Sequence, residues 1–501
     1  MKIFPDKSRF EELSLKSPRV PVYGEAEIEK LNPALLYLEL FADRKDSFIF
    51  ESGKGPFETA RYSMMGVSNG CKIRIENGKT IYTKNSREST FDNPFEGLSR
   101  LNFDATIPQP DYLQHFWGGW VGYIGYEICN IFEVLPPRKK DASGVPDMVF
   151  IQVDSLIVYD HKTETLKYIL SRKKEDGETD YKRQIIELEK GWEKIREAIG
   201  RIDDTGGYSF RKVFEGQSNS PFVQNGIRSN LTREEYMDRV RGIKKYIEEG
   251  DIYQANLAQN FHTSFEGNSF DLYFRLRNVN PSPFSGFLHF QGLDIISSSP
   301  ERLIKVENNV VETRPIAGTR PRGISVEEDR SLMRELFLSE KERAEHMMLV
   351  DLERNDLGRI CTTGSVRVTE LMFLEQYSHV NHIVSNIQGR LKPEASVADI
   401  LKAVFPGGTI TGCPKVRCME IIHELEPSER GPYTGSFGYI GFSKLLDLNI
   451  IIRSIVVQNK RANFHVGAGI VADSTPDKEY QETLDKAAAM IEALSMNPGK
   501  N

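Results

Sequence analysis

The chain has 501 residues, enough for about three average domains, although single α/β units of about 250 residues are also common. Its 72 acidic and 65 basic residues nearly cancel, and a net charge of −7 excludes the electrostatic footprint of a nucleic-acid or anionic-membrane binder, leaving small molecules and proteins as partners. The five cysteines are scattered with no Cys-x-x-Cys pair, which excludes a disulfide framework and a zinc site and fits a reducing cytoplasm.

In chain order, the opening "MKIFPDKSRFEELSLKSP" lacks an apolar signal core, and no apolar run reaches the ~18 residues of a membrane span, so a cytoplasmic protein is expected. "SFIFES" and "MVFIQVDSLIVYD" alternate as strands do, and "DYKRQIIELEKGWEKIREAI" is predicted to be an amphipathic helix. From Ile199 to Asn230 the chain is rich in Gly, Ser and Asn without sustained periodicity. This seam divides it into an N-terminal region 1–198, a linker 199–231 and a catalytic region 232–497. Thr232 and Glu235 have capping-box spacing, and Tyr236, Val240, Ile243 and Ile247 recur on one helical face until Gly250.

Further on, "SEKERAEHMMLVDLERNDLGR" reads as a helix with Glu345 on its apolar side, among Ala344, Met348, Leu349 and Leu352. "GGTITGCPK", Gly407 to Lys415, is not a nucleotide loop, because Cys413 and Pro414 interrupt the Gly-Lys-Ser/Thr ending. What remains is glycines ahead of a helix whose N-terminal N–H groups suit an anion, with Pro414 in its first turn and Cys413 as a small buried residue rather than a nucleophile. "LDLNIIIRSIVV", Leu446 to Val457, is expected to form one strand buried on both faces, yet carries Arg453 at its centre. A buried guanidinium requires an anion, either an internal carboxylate or a ligand. In "EYQETLDKAAAMIEAL", Glu479, Glu482 and Lys486 project from one helix face. Carboxylates from two helices with no Cys or His cluster suit Mg²⁺. Strands and helices alternate irregularly, as in a large mixed α/β or α+β architecture.

Five segments together resemble the chorismate-binding enzymes: "ETRPIAGTRPRG" (Glu312 to Gly323), "KERAEHMMLVDLERNDLGR" (Lys341 to Arg359), "YSHVNHIVSNIQG" (Tyr377 to Gly389), "FPGGTITGCPKVRCMEII" (Phe405 to Ile422) and "GAGIVADSTPDKEYQETLDKA" (Gly467 to Ala487). "RVPVYGEAEIEKLNPALLYLEL" and "SFIFESGKGPFETARYSMMG" extend the likeness into the N-terminal half. The resemblance implies an α+β fold in which helices wrap a sandwich of two antiparallel sheets. It implies that Arg453 anchors the enolpyruvyl carboxylate of chorismate, that Tyr433 lines the same arm, and that Gly467, Ala468 and Gly469 approach the ring carboxylate beside Lys486. Glu345, Glu479 and Glu482 match the Mg²⁺ ligands, Glu301 of "SSSPERL" the acid that protonates the departing C4 hydroxyl, and His382 a general acid or base near the enolpyruvyl group. Gln254, Ala317 and Thr319 complete the implied catalytic set. Ser52 and Pro281 match positions of a tryptophan pocket.

Gln254 stands where water-using relatives carry a lysine. An amide takes no proton from water at neutral pH, so ammonia is the expected nucleophile, supplied by a separate glutamine amidotransferase subunit because this chain shows no Cys–His glutaminase setting. Ala317 in "PIAGT" is the form usual in anthranilate synthases and is also found in a subclass of aminodeoxychorismate synthases. "GGTITGCPK", "SSSPERL" and "NPSPFSGFL" resemble the latter, which places aminodeoxychorismate synthase first, anthranilate synthase second, and a noncatalytic amino-acid sensor third.

Overall fold

Alternation at period two sorts apolar side chains to the two faces of a strand, and in this protein both faces find cover. A computed structural model describes residues 1–52, 61–104, 106–139, 144–174, 181–204, 226–376 and 380–495. In "SLIVYD", Leu156 and Val158 join one apolar cluster, whereas Ile157 and Tyr159 join another. The first cluster lies between two antiparallel sheets, where Phe48, Leu288 and Ile295 of one meet Val121, Val149 and Ile151 of the other. Helices cover the outer faces: Tyr181–Asp204, Ser269–Val279 and Pro476–Ser495 on the first sheet, and Glu340–Ile360 and Val397–Val404 on the second. The expected two-sheet α+β sandwich is the observed fold.

Among the described residues the first sheet has 13 strands and the second 12, and each draws on both halves of the chain. Ser47–Glu51 pairs with Phe284–Phe290 in the first, and Gly119–Ile124 with Ser436–Gly441 in the second. The helix that closes the N-terminal half runs to Asp204, past the expected boundary at 198, and the middle of the linker, 205–225, lies outside the described residues. Tyr377 to His379 of one quoted segment lie outside them also. After the seam the capping box forms as expected, with Thr232 and Glu235 exchanging side-chain and backbone hydrogen bonds ahead of Arg233–Glu248.

One expectation is corrected. "LDLNIIIRSIVV" is two strands, Leu446–Ile450 in the second sheet and Ser454–Gln458 in the first, and the chain crosses between sheets at Ile451 to Arg453. A continuous apolar run satisfies both environments, so hydropathy alone does not mark the corner. Arg453 is the corner residue, with φ +53°, a left-handed conformation uncommon outside glycine. "MVFIQVDSLIVYD" crosses in the same way, from Met148–Val153 in the second sheet to Ser155–Asp160 in the first.

Candidate active site

The corner at Arg453 aims its guanidinium at the C-terminal helix, where Nη1 donates to the Lys486 carbonyl at 2.7 Å. Among the described residues no carboxylate forms a salt bridge with it, so the internal ion pair left open by the sequence is not what meets this charge. Burial lowers its proton affinity, opposed by the neighbouring Tyr433 and Glu482. Lys486 continues the chain of contacts, donating to the Gly467 carbonyl at 2.9 Å and pairing with Glu482 at 2.6 Å. The expected helix face of Glu479, Glu482 and Lys486 therefore folds back on the strand Arg461–Ile470.

Glu301 lies between Leu293–Ser299 and Arg302–Glu307 and is 7 % exposed. Burial lifts its carboxyl to about 7, against the opposing pull of the Thr409 hydroxyl, which donates to Oε1 at 2.8 Å, and of Lys486. A carboxylic acid that keeps its proton near neutrality is a competent proton donor. His382, on the strand Val380–Arg390, is driven down to about 4 by burial, with a hydrogen bond to the Gly318 backbone opposing and the charge of Arg453 adding to the fall. Its imidazole is neutral at pH 7. Tyr433 is buried, its ring stacked on His465 at 5.1 Å between centroids, and burial raises its hydroxyl pKa.

The glycines opposite permit a close approach. A Cβ at Gly467 would lie 2.9 Å from the Tyr433 hydroxyl, and one at Gly469 2.6 Å from Gln254 Nε2, so glycine at both positions lets these side chains close on the strand; Ala468, between them, is fully buried. Gln254 itself faces Cys413 in register, and Lys415 beyond it is paired with Asp356 at 2.6 Å, which removes the lysine from any phosphate-like role.

A scan of known families matches residues 45–492 to the chorismate binding enzymes. The chain belongs to this family. It is 38% identical over 480 residues to anthranilate synthase component 1 of Aquifex aeolicus, covering 95% of each chain. It is 40% identical over 466 residues to aminodeoxychorismate synthase component 1 of Bacillus subtilis, covering 92% of this chain and 94% of that one. The solved structure of anthranilate synthase component I from Streptococcus pneumoniae superposes with a TM-score of 0.73 at 34% identity, over 93% of this chain and 99% of that one.

Not every residue expected from the family is gathered at this site. Ala317 lies on the strand Ile316–Pro321 opposite Ile383, Thr319 pairs with His382 in register although its side chain lies outside the described residues, and Glu345 is half-buried on Glu340–Ile360. Among the described residues no three His, Cys, Asp or Glu side chains converge as a metal-binding group, so the three expected carboxylates are not assembled. Glu479 and Glu482, one turn apart on one helix, still offer the oxygen-only donors that suit Mg²⁺, which takes one or two protein carboxylates and completes its shell from substrate and water.

Ser52 stands apart, lining a cavity of about 320 Å³ between the sheets with Arg61, Tyr62, Pro283 and Arg302. Its hydroxyl donates to the Tyr62 carbonyl at 2.7 Å. The proline that lines this cavity is Pro283, immediately ahead of the strand Phe284–Phe290; Pro281 is not among its lining residues.

Two residues that support the site escaped the sequence reading. Arg430, 1 % exposed at its side chain, is clamped by Glu426 at 2.6 Å and donates to the carbonyls of Asn256 and Ile410 and to the Thr434 hydroxyl. Its signal was the i, i+4 pair in "ELEPSERGPY". Asn256, 8 % exposed, was the one polar residue in "QANLA" besides Gln254, two positions along the strand.

Proposed function

We propose that this enzyme aminates chorismate with ammonia delivered by a glutamine amidotransferase subunit, in a Mg²⁺-dependent reaction that forms 4-amino-4-deoxychorismate in the cytoplasm. The observation that carries the proposal is the half-buried Arg453, which meets no carboxylate in a salt bridge among the described residues and so suits a carboxylate ligand bound by charge-assisted hydrogen bonds. Chorismate carries two carboxylates. In this proposal Arg453 and Tyr433 orient the enolpyruvyl arm, and the Gly467–Gly469 backbone with Lys486 receives the ring carboxylate. Glu301 gives its proton to the C4 hydroxyl as that group leaves as water. Mg²⁺, which Glu479 and Glu482 would hold, would neutralise the ring carboxylate and make ring carbon C2 more electrophilic. Gln254 offers no base to water, which favours ammonia as nucleophile, adding first at C2 as the C4 hydroxyl leaves, after which a second ammonia adds at C4 and the C2 amine departs as ammonia.

The relatives include both anthranilate and aminodeoxychorismate synthases, and the product is decided by whether the enolpyruvyl group stays on the ring. The chain, chorismate, Mg²⁺ and ammonium are expected to release little pyruvate until an aminodeoxychorismate lyase is added. Prompt stoichiometric pyruvate with anthranilate fluorescence would establish the second reading, anthranilate synthesis, instead. Accumulation of isochorismate or salicylate without ammonia would remove both.

A further inference from the structure

The strand Gln254–Ser264 carries Gln254 and Asn256 on one face, two residues apart. Asn256 sits opposite Gly469 in the antiparallel register, and Ala258 opposite Gly467. Because the facing strand has glycines at both places, the two amide side chains lean over ground that a neighbour's side chains would otherwise fill. A Cβ at Gly467 would come within 2.5 Å of Asn256 Oδ1, and one at Gly469 within 2.6 Å of Gln254 Nε2.

Both side-chain carbonyl oxygens, Gln254 Oε1 and Asn256 Oδ1, are buried with no hydrogen-bond donor among the described residues. Buried acceptors are ordinarily met, and two unmet ones on one strand face mark a place for a donor. Slack in the strand does not account for them. The Asn256 N–H donates to the Thr411 carbonyl at 2.9 Å, and its own carbonyl accepts from Arg430 Nη2 at 2.8 Å, which pins the backbone on both sides.

We propose that Asn256 and Gln254 together seat the nitrogen nucleophile, their two side-chain carbonyl oxygens accepting hydrogen bonds from ammonia above Gly467 and Gly469. The inference rests on the amination proposed above and adds Asn256 to it as a residue that selects and positions the nucleophile. Ammonia has three N–H donors and one lone pair. Two protein acceptors engage two of the donors and turn the lone pair away from themselves, toward the side on which the proposed substrate ring would lie. Water fills the same seat without consequence, because neither amide removes its proton.

The test is chorismate turnover by the full chain with Mg²⁺ and ammonium chloride and no glutaminase, for wild type and the isosteric pair N256V and N256T. Chorismate affinity by calorimetry and melting temperature are measured alongside. N256V should raise the KM for ammonium about tenfold, the scale of one lost hydrogen bond, with the chorismate Kd within about twofold. It should also melt above wild type, because a buried acceptor without a donor has been removed. N256T has the same volume with a hydroxyl oxygen restored, and should recover most of the ammonium KM. A chorismate Kd that weakens in N256V while the ammonium KM holds would assign Asn256 to the substrate and overturn the inference, leaving amination intact. Both constants moving together with a lower melting temperature, and no recovery in N256T, would make Asn256 purely structural and overturn it as well. A wild-type chain that consumes no chorismate with ammonium would overturn both the inference and the amination on which it rests.

Discussion

Arg453, half-buried, and Glu301, buried, are two ionisable groups held in different ways, and they respond differently to substitution. Arg453 has one hydrogen bond, to a backbone carbonyl, and no carboxylate partner among the described residues. Arg453→Met therefore leaves no buried carboxylate unpaired, while it deletes the proposed charged contact to substrate, worth about 2–5 kcal/mol. Chorismate affinity should fall at least about thirtyfold by calorimetry, with the melting temperature nearly unchanged. Unfolding of the variant, with unaltered affinity in any folded remainder, would return Arg453 to a structural role. Glu301 is held near 7 by burial, above the ordinary carboxylate value of 4.5. The folded state thus keeps a proton that the unfolded state releases between those two values, and stability declines with rising pH across that window. Glu301→Gln removes the penalty. It should be more stable than wild type at pH 8, by up to about 3 kcal/mol in urea unfolding, and no more stable at pH 4. If Glu301 is the proton donor of the proposed reaction, wild-type kcat/KM should fall as pH rises through about 7, and the variant should lose turnover at every pH.

Among the elements, the strand Gln254–Ser264 matters most, because it presents Gln254 and Asn256 and pairs with the glycine-bearing Arg461–Ile470 along ten positions. What holds it from behind is the Arg430–Glu426 pair. Glu426 Oε1 accepts from the Ala258 N–H at 2.9 Å, and Arg430 donates to the Asn256 carbonyl, so one ion pair grips the strand at two adjacent pleats. Arg430→Met leaves Glu426 buried without its cation and should cost about 3–5 kcal/mol in urea unfolding. Adding Glu426→Gln to it should restore part of that loss, because the uncompensated charge is then gone. Equal destabilisation of the single and double variants would show that the backbone contacts of Arg430, and not the ion pair, carry the effect. The helix Glu340–Ile360 is capped locally, by Ser339, whose side chain accepts from the Glu342 N–H.

At the scale of the whole molecule, the two halves on either side of the seam are woven into the same two sheets. Phe284–Phe290 takes Ser47–Glu51 as a partner, and Ser436–Gly441 takes Gly119–Ile124. A chain cut to 232–497 loses both partners and exposes the apolar cluster between the sheets. That fragment, although it carries Glu301, His382 and Arg453, should be degraded rapidly by protease and show no cooperative melt, whereas co-expression with 1–231 should restore a protected complex. A fragment that melts cooperatively on its own would show that the catalytic half folds as an independent domain.

Some of this protein is written along the chain. Helix caps, the apolar stripe of Arg233–Glu248 and the segments that mark a chorismate binding enzyme are legible because each depends on residues a few positions apart, and Arg453 drew notice by standing in an apolar run. Other features exist only where distant residues meet. Whether an apolar run stays in one sheet or crosses at Arg453 depends on which strands lie alongside, and which proline of "NPSPF" lines the cavity near Ser52 depends on how that turn enters its sheet. The near-neutral acidity of Glu301 and the unmet oxygens of Gln254 and Asn256 are likewise invisible in one dimension. Burial and hydrogen-bond pairing are sums over neighbours brought from elsewhere in the chain, as Arg430 is to Asn256 across 174 positions, and only the folded arrangement performs that sum.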